Sequence, residues 1–140
     1  YLCQFEMRYP VNHVRCFMTI LMFFNLVSGS CCHKVSAVYS VKNNAYDQNP
    51  GGFGNYTMQA GFVNGKAHFL IDIEIDTAIW YDGDGNWFVG LKSEIGKSMG
   101  RFNVDSTADC PYTPAYTWKY VDQYNNWRDA DEGFSIWCDS

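Results

Sequence analysis

Asp82, Asp84 and Asn86 stand at alternate positions in WYDGDGNWFVG, residues 80–90, with a glycine between each pair. Oxygen donors at positions one, three and five begin an EF-hand calcium loop, which also needs Gly at six and Glu at twelve. Here position six is Trp87 and position twelve is Ser93, with Glu94 one place late. The flanks read as strands, not helices. An EF-hand is therefore excluded. Two readings remain: a hairpin turn with solvated aspartates, or a looser calcium site on a β-loop.

Asp72, Glu74 and Asp76 are the second acidic set. Paired carboxylates hydrolyse glycosidic bonds only when they face each other across a cleft. Three on alternate positions of one strand share a face, which reads as a solvated sheet surface with cross-strand lysines. His33 and His68 are far apart, and no Ser-His-Asp or Cys-His pattern can be assembled around them. The glycines of GGFG and GDG do not open a helix after a strand, so they do not form a phosphate loop. Asn55-Tyr56-Thr57 is an N-glycosylation sequon, which places Asn55 on the surface. Aromatics supply the remaining chemistry. Trp80, Tyr81, Trp87 and Phe88 flank the DGDG turn on alternating faces. Buried, they are core; exposed, they stack on sugars or anchor protein contacts. Tyr81, Trp87, Tyr124 and Trp127 are the candidate binding residues, one or two of them expected to be exposed contacts, with Asp82 and Asp84 beside them.

The chain that must position these residues has 140 residues and a net charge of −5. Hydrophobic residues make up 47% and aromatics 18%, enough for one packed domain. No Lys/Arg cluster exists, which argues against nucleic acid and anionic membrane surfaces as partners. From Met7, the residues Arg8 and Arg15 precede an apolar run, Phe17 to Val27, and then Ser28-Gly29-Ser30. That order is a secretory signal with a cut after Ser30, Met18 being a second candidate start. Ser28 stands where a lipoprotein signal expects Leu. Residues 1–30 are thus upstream sequence and signal, and 31–140 form a single secreted domain with no membrane span left after cleavage.

Cys31, Cys32, Cys110 and Cys138 remain in that domain, an even number suited to two disulfides. A Cys31–Cys32 bridge is strained. The open choices pair both with Cys110 and Cys138, or leave them for a partner chain. No CxxC spacing supports zinc.

KVSAVYSV, Lys34 to Val41, alternates as a strand. NYTMQAGFVNGKAHFLIDIEID reads as strand, turn, strand, with Asn64-Gly65 as the turn and Phe69, Ile71, Ile73 and Ile75 on one face. TAIWY and NWFVGL are strands around the DGDG turn, and RFNVD is a short edge strand. YTWKYV and GFSIWC are strands, with DQYNNWRDADE a polar connection between them. The result is an all-β domain, a small antiparallel sandwich or barrel built of hairpins and stabilised by disulfides.

Gly54, Tyr56, Gly61, Asn64, Gly65, Lys66, Phe69, Trp80, Trp87 and Gly90 carry a resemblance. The pattern resembles a widespread eukaryotic module, G-x-Y, then G-x-x-N-G-[KR]-P-x-Y, then an IWY-like strand and W-x-[IV]-G. Ala67 replaces its usual Pro and Phe69 its usual Tyr. The likeness covers about a third of the chain, with CPYTPAYTWKY…W…SIWC a looser companion. It implies an extracellular β-module of unassigned activity. A weaker likeness, through WFVGL and WRDADEGFSIWC, is to C-type lectin domains, whose EPN-like calcium motif is missing here. The expectation is an extracellular recognition module for carbohydrate or protein. A matrix module acting by self-association is the alternative, and a carboxylate hydrolase comes third.

Overall fold

A computed structural model describes residues 31–39, 50–73, 76–112, 117–130 and 133–139. Residues 1–30, where the sequence leads one to expect a signal peptide, and Val41, Glu74 and Ile75 lie outside the described residues. The described chain forms nine strands: β1 (Lys34–Tyr39), β2 (Gly54–Met58), β3 (Phe69–Ile71), β4 (Thr77–Tyr81), β5 (Asn86–Leu91), β6 (Phe102–Asp105), β7 (Lys119–Val121), β8 (Trp127–Asp129) and β9 (Phe134–Cys138). No α-helix occurs among them, and none of the described residues forms a helix long and apolar enough to cross a membrane. All pairs are antiparallel, in the order β8-β7-β6-β5-β4-β3-β2-β1-β9.

That order forces curvature. Strands β8 and β9 are opposite edges of the sheet, yet only residues 130–133 join them. A flat sheet of nine strands would set its edges about 38 Å apart at about 4.8 Å per strand. Four residues and their flanking bonds reach only about 18 Å. The sheet therefore curls into a half-barrel. Its interior confirms the closure: Phe134 of β9 stacks on Phe102 of β6 at 4.5 Å, nearly parallel, and Trp118 meets Phe134 edge-on at 5.0 Å. Tyr39 donates to Ala130 O at 2.6 Å, which pins the connector to β1.

Alternation builds this interior. Val35, Ala37, Tyr56, Phe69, Ile71, Ile79, Tyr81, Trp87, Val89, Phe102 and Val104 point inward from successive strands. Two buried hydroxyls there are partnered: Thr77 donates to Gly51 O and Tyr56 to Gly52 O. Burial pushes the Tyr56 phenol well above its ordinary range, with Arg101 opposing, so it remains a donor.

Strands β4 and β5 are buried on both faces, because a loop covers their outer side. Ala78, Trp80 and Phe88 form a second cluster there with Val63, Leu70 and Ile95. Trp80 Nε1 donates to Lys97 O, and Gly90 lets the loop approach. A Cβ on Gly90 would lie 2.9 Å from Gly100 Cα.

Several expectations need correction. RFNVD is not an edge strand: β6 sits between β5 and β7. The polar connection after β7 contains the real edge strand, β8. The alternation through IDIEID ends as a strand at Ile71, because β4 has already turned back by Thr77, and Ile73 is exposed. Asn64-Gly65 does form a turn with both φ positive, but it joins a single Val63–Lys66 bridge rather than two strands. The disulfides, by contrast, follow one of the pairings the sequence left open: Cys31–Cys110 and Cys32–Cys138, with Cα–Cα separations of 5.5 and 5.7 Å.

Candidate functional site

The DGDGN turn joins β4 to β5, and its first aspartate is turned inward. Asp82 is 7% exposed. Its Oδ1 accepts from the backbone N–H of Asp84 and Asn86, and its Oδ2 accepts from Asn86 Nδ2. Burial pushes this carboxyl up, but hydrogen bonds from Asn86, Asp84 and Ser98 outweigh it and hold the carboxyl below its ordinary value. Its oxygens are therefore committed to closing the loop. Asp84 is exposed. Among the described residues, no group of three or more His, Cys, Asp or Glu is placed to hold a metal.

The same device recurs at β7–β8. Asp122 Oδ1 accepts from the N–H of Tyr124 and Asn126, and Asp122 N donates to Asn126 O at 2.9 Å. In the first turn, Asp82 N donates to Asn86 O at 3.0 Å. Both turns read Asp-x-x-x-Asn-Trp, residues 82–87 and 122–127. Both close a hairpin whose last pair ends on Trp: Tyr81 opposite Trp87, and Val121 opposite Trp127. This internal repeat was readable in the sequence by aligning the two aspartates. The N–H of Asn126 leads the groups that hold Asp122 below its ordinary pKa, despite an opposing desolvation, and the Arg128 guanidinium adds to them. Arg128 Nε lies 2.9 Å from Asp122 Oδ2.

The two hairpins differ in what they present. Trp87 is 0% exposed and Tyr81 nearly so, because both point into the half-barrel. As candidate surface contacts they are corrected to core. Trp87 Nε1 donates to Ala108 O at 3.0 Å. Lys66 reaches over the same wall: its Nζ sits 4.2 Å from the Tyr81 ring centroid and donates to Thr107 O and Ala108 O. Burial lowers the Lys66 pKa, and nearby Asp109 opposes this. The lysine is thus a clamp on the segment leading to Cys110. Beside this segment, Asp105, Ser106, Thr107, Thr117 and Lys119 line an open cleft of about 350 Å³.

Tyr124 and Trp127 behave differently. Tyr124, at the second hairpin tip, is 74% exposed, and Trp127 is 41% exposed. Trp127 meets Phe88 in an edge-to-face contact at 6.2 Å and keeps much of its surface exposed. Asn125, Asn126, Arg128 and Asp129, their neighbours in sequence, are exposed. The hairpin thus carries two exposed aromatic side chains, with exposed amide and charged residues next to them in sequence.

The other candidates are dispersed. Asp72 accepts from Thr57 Oγ1 and lies 3.9 Å from Lys34 Nζ, while Asp76 lies 4.0 Å from Lys92. These carboxylates face lysines on neighbouring elements rather than each other. His33 and His68 flank the end of β2 from opposite sides, their carbonyls accepting from Met58 and Gln59. Strand alternation puts them on opposite faces. Asn55 is exposed on the outer face of β2. Trp137, 57% exposed on β9, was not singled out from the sequence, where SIWC gave no sign of which residues face outward. No family model, no curated protein and no solved structure matches this chain.

Proposed function

We propose that the chain is a secreted recognition module that binds carbohydrate through Tyr124 and Trp127. The single observation carrying this reading is that an Asp-locked hairpin carries two exposed aromatic side chains next to exposed amide and charged residues. Sugars present one apolar face and a rim of hydroxyls, which suits such a surface. Internal disulfides and the sequon support passage through an oxidising secretory compartment. The resemblance to an extracellular β-module points the same way. Calcium has weaker support, since Asp82 spends its oxygens within its own turn.

The experiment is a glycan array followed by calorimetry on the best hit. Tyr124→Ala should weaken binding about tenfold, the size of one lost aromatic stacking contact, with the melting temperature unchanged. Unaltered affinity in both Tyr124→Ala and Trp127→Phe would sink the reading.

Self-association is the second reading, favoured by the two edge strands β8 and β9, each hydrogen-bonded on one side. Internal pairing of Cys31 and Cys32 leaves neither for an interchain bridge. Sedimentation velocity across a hundredfold concentration range separates the two readings. A hydrolase has the least support, with Asp72 and Asp76 each facing a lysine.

A further inference from the structure

The outer face of β9, β1 and β2 carries exposed apolar surface. Trp137 and Val38 are 57% and 40% exposed there. Trp137 Nε1 donates to Ser135 Oγ at 2.8 Å, which lays the indole along its own strand. Ser36 lies opposite both Trp137 and Asn55, so the three residues form one row across three strands. Asn55 opens the sequon Asn55-Tyr56-Thr57. Its Oδ1 lies 2.9 Å from Ser36 Oγ, which turns the amide toward β1. Ser36 Oγ is also 2.6 Å from Asp139 Oδ1, so hydroxyl and carboxylate groups rim the apolar patch.

We infer that Asn55 carries an N-linked glycan whose first sugars lie over Trp137 and Val38, so that this face is covered by the chain's own carbohydrate. Two strand spacings put Trp137 about 10 Å from Asn55, within reach of the first two sugar rings. A sugar's apolar face against the indole, with its hydroxyls toward Ser36 and Asp139, matches the row. In the attachment, Asn55 Nδ2 forms a bond to C1 of the first sugar and loses a proton. The C1–oxygen bond to a lipid pyrophosphate donor breaks, and the pyrophosphate leaves with the electron pair. The inference rests on the secretory part of the proposed function, not on its ligand.

The test uses Trp127→Phe made in a secreting eukaryotic host. Trp80, Trp87 and Trp118 are buried, so Trp137 becomes the main quenchable indole among the described residues. Acrylamide quenching is compared with and without Asn55→Gln, and mass spectrometry records the glycan. The glycan should lower the quenching constant about twofold by covering one ring face. Equal quenching with the glycan present overturns the packing and leaves secretion standing. A secreted, folded protein without glycan overturns the inference but not carbohydrate binding. Protection in Asn55→Gln that grows with protein concentration means a second copy covers the face, which also overturns it. Should Trp127→Phe fail to fold, Trp137→Phe against the otherwise native chain gives the same answer by difference.

Discussion

Asp82 and Trp87 show how residue type misleads until burial is known. Both looked available for ligands, and both are structural. Asp82 ties its own turn through three accepted hydrogen bonds. Bonds to a charged acceptor contribute more than neutral ones, so Asp82→Ala should cost about 2–3 kcal/mol by urea denaturation at neutral pH. The sign with pH follows from the direction of the shift. A carboxyl held lower in the folded state stabilises the fold fully above the unfolded value. That contribution is lost as pH falls through the folded value. Asp82→Asn should therefore flatten the stability profile on the acid side relative to the native chain. An unchanged acid limb would show that Asp82 is not the group responsible. Trp87→Ala leaves a large void at a site with no exposure and should cost about 3–5 kcal/mol. That variant reports on folding, so any loss of ligand binding in it says nothing of contact. Tyr124→Ala is the informative substitution.

At the scale of elements, legibility tracked alternation and turn chemistry. β4 and β5 matched TAIWY and NWFVGL, because unbroken apolar runs bounded by a Gly-rich turn leave little choice of boundary. Strand β8 escaped notice because it is three exposed residues, Trp127–Asp129, with no apolar alternation to betray it. Its partner register came from the Asp122 turn instead. IDIEID misled in the opposite sense: its alternation continues past the point where the hairpin reverses. The position of β6 inside the sheet was not legible either, since strand order depends on long-range pairing rather than local pattern. The twin Asp-x-x-x-Asn-Trp turns give this scale its own prediction. Asp122 organises the loop that carries Tyr124 and Trp127, its carboxylate taken up by Tyr124 N, Asn126 N and Arg128 Nε. Asp122→Ala should weaken glycan binding by loosening the hairpin, raising the entropic cost of ordering it on binding. Wild-type affinity in Asp122→Ala, with faster amide exchange at 123–126, would show that the preset loop geometry does not matter for binding.

The whole molecule is a meander whose last strand returns to pair with its first, leaving β8 and β9 on either side of an open seam. Closure depends on aromatic packing across the interior and on two bridges that start from adjacent residues. Cys32–Cys138 reinforces the β1–β9 ladder, where Val35 already lies opposite Cys138. Cys31–Cys110 anchors the segment that supplies Ala108 O to Trp87 and Lys66. In the chain-entropy account, closing loops of 79 and 106 residues contributes between about 4 and 5 kcal/mol each when taken alone. The shared anchor changes the sum. Once one bridge is closed, the other constrains little more than the segment from Cys110 to Cys138, which lowers its contribution to about 3–4 kcal/mol. Replacing either pair by serines should therefore cost about 3–4 kcal/mol, while replacing both should cost about 8 kcal/mol, more than the two single losses together. That total is comparable with the whole stability of a domain this size, so the double-pair variant should be largely unfolded at room temperature. Urea titration of the three variants, followed by tryptophan fluorescence and far-ultraviolet circular dichroism, measures this directly. Single losses that sum to the double loss would mean the bridges act on separate parts of the unfolded chain, against a common N-terminal anchor.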